Sequence, residues 1–232
     1  MTMDAVKIIE NALKEGRKYL MEHEAKSICQ QYGMSVTRFK VAKDLNEALN
    51  YAKEIGYPVV FKIVSPDIIH KSDVGGVIVN IKNEEEAINA YKRIMENIAR
   101  NKPDARIVGI LVQEMAPAGL EVIVGAIKDP QFGHTVMFGL GGIFVEILKD
   151  VTFRITPLTI EDAMEMIREI KGYPLLKGYR GQPPADENTI IDIIMKTSKL
   201  LTDFPQISQL DLNPIFVYEK GAKIVDARII LE

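Results

Sequence analysis

The sequence predicts a mixed α and β fold arranged as two lobes, and three observations lead there. Apolar residues switch repeatedly between helical spacing and short β-prone runs along the chain. The helical segments open on capping residues such as Asp44 and Asn83, and several close on glycine or proline. With 232 residues, 47% hydrophobic and 26% charged, the chain can bury a sizeable core as one large domain or two subdomains.

Taken in order, residues 1–20 (MTMDAVKIIENALKEGRKYL) read as a charged amphipathic helix with no secretory h-region. Residues 22–32 continue at helical spacing, and Gly33 follows as a C-terminal stop. Residues 38–42 are β-prone; Asp44 with Glu47 forms a capping box for a helix that leaves through Gly56-Tyr-Pro58. Residues 59–64 read as a buried strand, 77–81 as its return, and Asn83 with Glu86 opens another capped helix. Residues 106–114 are strand again and run into the loop 115–119, whose Ala116-Pro117-Ala118-Gly119 has the composition of a junction between lobes. Two β-rich runs, 120–127 and 134–140, form a hairpin around Lys128-Asp-Pro-Gln-Phe-Gly133. Helices over 159–169 and 186–202 precede a closing strand pair, 209–218 and 223–229, while 171–185 reads as an irregular surface loop. The division expected is an N-terminal helix (1–20), a first lobe (21–112) and a second lobe (113–232). No internal repeat, heptad seam or low-complexity segment is present.

Composition narrows the function classes. Against 29 basic residues stand 32 acidic ones, a net charge of -3, so no general basic surface invites nucleic acid. No apolar run is long enough to span a bilayer, and no membrane anchor is expected. A lone cysteine, Cys29, excludes an intramolecular disulfide and a multi-cysteine metal site; a buried position in a cytoplasmic protein fits it best.

Chemistry concentrates between Lys62 and Gly76. Lys62 lies in the apolar run Val59-Val-Phe-Lys-Ile-Val64, where an ammonium needs an anion, either a phosphate oxygen or a partner carboxylate. Gly75-Gly76 permits positive φ and close backbone approach, as a phosphate-wrapping loop requires, though a Gly pair is more often a plain turn. Neither the GxxxxGK[ST] nor the GxGxxG spacing is present. His70, in a polar loop beside Lys71, has an imidazole competent to attack phosphorus near neutral pH; the plain alternative is a surface histidine. His23 and His134 carry only the plain reading.

The closing strands offer hard oxygen ligands. Asp211 and Asn213, at i and i+2, share one strand face. A two-residue turn at Lys220-Gly221 would put Asp226 on that face diagonally from Asn213, whereas a three-residue turn would reverse the parity. Such oxygens suit Mg²⁺ shared with substrate phosphates; a loop-capping role for Asn213 before Pro214 is the competing reading. Glu114 and Glu121 are either acceptors for a base or ribose or solvated strand ends. Arg154, alternating with apolar neighbours, either extends into a cleft to neutralise phosphate or lies on the surface of a half-buried strand.

Several strings together carry a resemblance: Glu24-Ala-Lys-Ser, Tyr57-Pro-Val-Val-Phe-Lys62-Ile-Val-Ser-Pro, Ile68-Ile-His70-Lys-Ser-Asp-Val-Gly-Gly, Gln113-Glu-Met-Ala, Gly139-Leu-Gly-Gly-Ile-Phe-Val-Glu146 and Asp211-Leu-Asn-Pro. Nearly the whole chain resembles the ATP-grasp fold, and most closely the β subunits of ADP-forming acetyl-CoA synthetase (acetate–CoA ligase, ADP-forming). A more distant similarity runs to the succinyl-CoA synthetase β subunit. The resemblance implies a nucleotide in the cleft between two lobes, with ATP/ADP and Mg²⁺ as cofactors. It implies that Lys62 contacts nucleotide phosphates and that 69–76, with Lys71, Gly75 and Gly76, is the phosphate loop. Glu114 and Met115 match the adenine hinge, and Glu121 matches the acid near the ribose. Asn213 and Asp226 match the Mg²⁺ ligands, with Asp211 close by. His70 matches a second phosphorylated histidine of this ADP-forming branch, for which succinyl-CoA synthetase has no equivalent.

The implied chemistry makes an acyl phosphate from acyl-CoA and phosphate, moves the phosphoryl group to a histidine of an α subunit, and passes it through His70 to ADP. With no CoA-binding Rossmann region and no CoA-ligase domain in these residues, a separate α subunit carrying both is expected, in an α2β2 assembly. The rival readings are another ATP-grasp carboxylate ligase without a phosphohistidine, and a nucleotide-sensing regulatory module.

Overall fold

A computed structural model describes residues 4–142 and 149–232. In chain order the elements are α1 (Ala5–Lys14), α2 (Glu22–Gln31), β1 (Phe39–Ala42), α3 (Leu45–Ile55), β2 (Val59–Val64), β3 (Val77–Ile81), α4 (Glu84–Asn101), β4 (Gly109–Glu114), β5 (Leu120–Asp129), β6 (Gly133–Leu140), β7 (Val151–Ile155), α5 (Ile160–Glu169), α6 (Tyr173–Leu176), α7 (Glu187–Asp203), β8 (Ile207–Val217), β9 (Ala222–Ile224) and β10 (Ala227–Leu231). The predicted N-caps are in place: Asp44 accepts from the Glu47 amide and Asn83 from the Glu86 amide, satisfying amides that a helix start leaves orphaned. The expected Asp44–Glu47 box is not closed, because Glu47 accepts from the Lys43 amide instead. At the start of α5, read from the sequence without a cap, Thr159 and Asp162 close a capping box.

The chain divides into two units, one of residues 37–116 and one of residues 1–36 with 117–232. The first is an antiparallel four-stranded sheet in the order β1-β4-β2-β3. Side chains alternate across it, so Val59, Phe61, Ile63, Ile110 and Val112 meet the apolar faces of α3 and α4 in a core that includes Ala48, Ala52, Ile94 and Ile98. The opposite face carries Val60, Lys62, Leu111 and Gln113, all buried.

The second unit is a six-stranded antiparallel sheet ordered β10-β8-β5-β6-β7, with β9 added to β8. Helices α5 and α7 cover one face through Ala163, Met166, Ile190, Ile194 and Leu201. The unit boundary lies at Ala116/Pro117, whereas the sequence reading divides the lobes at 112/113, and α2, read from the sequence as the start of the first lobe, packs with the C-terminal strands. The Leu20 amide donates to Ile229 O and the Leu231 amide to Lys18 O, each at 2.9 Å or less, and Val36 bridges to Ile224. A pairing between residues some 200 positions apart leaves no local signature in the sequence.

Candidate functional site

In the first unit the loop between β2 and β3 is gripped at its base and open at its tip. Ile68 and Val74 are buried in the core of the four-stranded unit. From α4, Asn97 Nδ2 donates to Gly75 O at 3.0 Å and Asn101 Nδ2 to Val74 O at 3.2 Å. Between these anchors His70 is exposed and Lys71 half-buried. Gly75 has φ +67°, the left-handed region that glycine enters without penalty. Gly76 is needed for closeness: a Cβ there would lie 2.5 Å from Ile63 Cγ2 and 3.0 Å from Lys71 O.

The Gly pair acts differently from the sequence expectation. Its amides are already used inside the loop, Gly75 N–H donating to Ser72 O at 3.0 Å and Gly76 N–H to Lys71 O at 2.8 Å. The pair therefore shapes the turn and aims the 69–73 tip, rather than presenting those two donors to a phosphate. Lys62 stands on the buried face of β2, 6% exposed, opposite Val77 and Leu111. That location is costly for an ammonium unless anions meet it.

Glu114 ends β4, buried and ion-paired through Oε2 to Arg38 Nε at 2.7 Å, so its carboxylate has a structural partner whatever else it meets. Met115 follows, 39% exposed, its amide donating to Pro58 O at 3.2 Å. In the second unit Glu121 is exposed at the start of β5, and Gly141 and Gly142 let the chain pass beside it: a Cβ on Gly142 would come within 3.2 Å of Glu121 Oε2. Gly141 N–H donates to Glu121 O at 2.8 Å. The rest of the string that ends at Glu146 lies outside the described residues.

The candidate oxygen ligands are set by the β8 to β10 register. Tyr218 N–H donates to Gly221 O at 3.0 Å, so the turn is Glu219-Lys220, one residue earlier than the predicted Lys220-Gly221. Pairs Ile215↔Ile224, Leu212↔Ala227 and Asp211↔Arg228 then carry one register along both strands. The expected common face is kept, but Asp226 comes directly across from Asn213, whose amide donates to Asp226 O at 3.2 Å, rather than diagonally. Burial and then the charge of Asp226 push the Asp211 carboxyl above the usual carboxylate range, while Arg228 pulls it back. Carboxylates crowded in this way beside an amide oxygen fit a divalent cation. Among the described residues no group of three or more His, Cys, Asp or Glu is placed to hold a metal.

Two residues correct or extend the sequence reading. Arg154 does not reach toward an open cleft: on β7 it shares the helix-covered face with Thr152, whose hydroxyl donates to Met166 O. Arg154 Nη2 itself pairs with Glu169 at 2.5 Å and Glu165 at 3.3 Å on α5. Those two carboxylates hold its guanidinium against α5. Asp186, read only as a helix start, caps α7 at Thr189 and accepts from the Gly221 amide at 2.7 Å, tying that helix to the turn between β8 and β9. His134 takes the plain role expected, buried with Nε2 2.6 Å from Ile207 O. Cys29 is buried too, its thiol pushed up to about 12 by burial.

Comparison with known proteins agrees with this architecture: the ATP-grasp domain family matches residues 11–231. At 58% identity over 227 residues, 98% of this chain aligns with 97% of the β subunit of acetate–CoA ligase [ADP-forming] I from Pyrococcus furiosus. The chain belongs to the family of ATP-grasp β subunits of ADP-forming acetate–CoA ligases. In Archaeoglobus fulgidus, acetate–CoA ligase [ADP-forming] I is 46% identical over 98% of this chain, which spans 33% of that longer protein. This chain therefore corresponds to one part of a larger ligase, and a partner supplying the remainder is implied. Solved structures of acetyl-coenzyme A synthetase 1 from Ca. Korarchaeum cryptofilum superpose over 99% of this chain and 100% of theirs. One, with coenzyme A and Ca-AMPCP, is 52% identical with a TM-score of 0.96. Another, with coenzyme A and Mg-AMPPCP and with its phosphohistidine segment pointing towards the nucleotide-binding site, is 49% identical with a TM-score of 0.88.

Proposed function

We propose that this chain is the nucleotide-binding β subunit of an ADP-forming acyl-CoA (acetyl-CoA) synthetase, passing a phosphoryl group between a phosphohistidine and ADP/ATP. The observation that carries this reading is the near end-to-end 58% identity with a separate β subunit of that activity. His70 at an open, anchored loop tip and the facing oxygens of Asn213 and Asp226 support it.

In the synthetic direction the partner forms an acyl phosphate and phosphorylates its own histidine. The His70 imidazole then attacks that phosphorus; a P–N bond forms on His70 as the partner's P–N bond breaks, and the proton lost by one ring is gained by the other. An oxygen of the ADP β-phosphate next attacks, a P–O bond forms, and the electron pair of the breaking P–N bond returns to His70, which recovers a proton from solvent. Lys62 and Lys71 balance phosphate charge, and Gly75 and Gly76 hold the loop that carries His70. Glu114 and Met115 border the adenine and Glu121 the ribose. Asn213 and Asp226, with Asp211 beside them, would hold Mg²⁺, which would supply positive charge against the phosphates.

Both CoA and acid sites belong to the α partner in this reading, the assembly is α2β2, and the enzyme works in the cytoplasm. No helix among the described residues is long and apolar enough to cross a membrane. The test is reconstitution with an α-type partner and measurement of ATP formed from ADP, phosphate and acetyl-CoA. Synthesis that needs both chains is expected; synthesis by the partner alone, or by neither combination, overturns the reading.

A further inference from the structure

The face of the six-stranded sheet opposite α5 and α7 carries a cation that none of these roles uses. Arg228, exposed on β10, is the direct cross-strand neighbour of Asp211, and both line a cavity of about 310 Å³ on that face. Gly125, the partner of Asp211 on β5, also lines it, with the end of Met137 packed over its missing side chain. The next same-face position along the ladder is Asn213 opposite Asp226, about 7 Å further on by strand geometry. An extended arginine spans that distance. Among the described residues no ion pair ties the Arg228 guanidinium to a carboxylate, in contrast to Arg154, which α5 holds through two.

We propose that Arg228 is the cation that grips the transferring phosphoryl group on this face, its guanidinium hydrogen-bonding the equatorial oxygens while phosphorus moves between a histidine nitrogen and the nucleotide. The inference rests on the proposed function and adds to it a residue that substitutes for the part the sequence offered to Arg154. Arginine suits the task because its planar fork matches two phosphoryl oxygens at once and stays charged at any working pH. Asp211 across the ladder biases the guanidinium toward the ligand positions, and Arg228 eases the crowding of Asp211 and Asp226. Arg228 itself makes and breaks no covalent bond and moves no proton.

The experiment uses the complex of this chain with its α partner, comparing wild type, Arg228→Lys and Arg228→Ala, the last with and without added guanidinium chloride at low millimolar concentration. Two readouts are followed: steady-state ATP formation, and rapid-quench discharge of ³²P from His70 on adding ADP. Arg228→Ala should lower both rates about a hundredfold, with the KM for ADP changed far less than kcat. Arg228→Lys should recover part of the loss, and guanidinium should accelerate only the alanine variant. Losses below about threefold, or an equal loss in lysine and alanine variants with no guanidinium rescue, overturn the proposal. Should the alanine variant fail to fold, the lysine variant decides by its own discharge rate, which must fall at unchanged melting temperature. A wild-type complex that forms no ATP overturns the functional reading itself, and the proposal with it.

Discussion

In the proposed function the His70 loop and the Asn213–Asp226 strand pair place polar atoms for phosphate chemistry by opposite means. The loop fixes its two ends, through Ile68 and Val74 in the core and through Asn97 and Asn101, and leaves five residues of tip to carry His70. The strand pair fixes every position, because each side chain is set by a ladder in one continuous register. A group that must be phosphorylated and then discharged benefits from freedom between two anchors. Ligands that must hold a small cation in near-octahedral geometry benefit from having none.

Removing the nucleophile proposed at the loop tip breaks this comparison most severely. His70→Ala should lower ATP formation by the reconstituted complex by at least about four orders of magnitude, as loss of a covalent nucleophile does. It should also abolish the acid-labile, base-stable ³²P adduct on this chain. Because His70 is exposed, stability should move by less than about 0.5 kcal/mol. Retained synthesis would mean that phosphoryl passes directly from the partner to ADP.

At the rigid region, Asp226→Asn keeps the size of the side chain and removes its charge. Since even an outer-shell partner of a metal is worth about ten- to a hundredfold in affinity, loss of a direct ligand should weaken Mg²⁺-dependent ADP binding about a hundredfold or more. Calorimetric titration with and without Mg²⁺ measures this, and an affinity equal to wild type removes Asp226 from the ligand set.

Between these lies the loop's own geometry. Gly76→Ala drives a methyl to 2.5 Å from Ile63 Cγ2 and 3.0 Å from a backbone oxygen. It should cost about 1–3 kcal/mol, the usual penalty of overpacking. Gly75→Ala meets chiefly the Asn97 side-chain amide at 2.5 Å, which can swing aside, and pays about 1–2 kcal/mol for its left-handed backbone. Denaturant titration ranks the two; if both are neutral, the tip does not depend on the tight turn beneath it.

How much of this was legible in the sequence follows from the range of each interaction. Helix starts at Asp44, Asn83 and Thr159 are decided within three residues, and the structure has them where the caps stand. The strings that carry the proposed site residues stand in the sequence as well, in the loop and in Asp211-Leu-Asn-Pro. Two features were not legible. Alternation along β7 showed that Arg154 has a face, but not that α5 covers it. The left-handed Gly221 follows the turn rather than forming its centre, so the hairpin was read one residue late. Arg228 was within reach, because the same parity that pairs Asn213 with Asp226 also pairs Asp211 with Arg228, provided the turn is placed correctly.

Asp186 offers the finest test, because it joins a helix cap to the turn between β8 and β9. Its carboxylate accepts from the Gly221 amide at 2.7 Å, the Thr189 amide at 3.1 Å and the Thr189 hydroxyl at 2.9 Å. Those bonds, the Gly221 amide foremost, hold its carboxyl below the usual carboxylate range. A depressed folded-state value contributes stability that is fully present above the unfolded pKa, about 3.9, and is lost as pH falls through the folded value. Asp186→Ala should therefore cost about 1 kcal/mol at neutral pH, a melting temperature lower by about 2–4 °C for a chain of this size. That gap should narrow below about pH 4 as wild type loses the same interaction. Mg²⁺-dependent ADP binding should change by less than about twofold, because the ladder pairs on either side of Asn213 and Asp226 hold the register without the turn. A tenfold or greater loss would instead make the Asp186–Gly221 contact the origin of the register, and the rigid region would then depend on a single anchored turn, much as the His70 loop does.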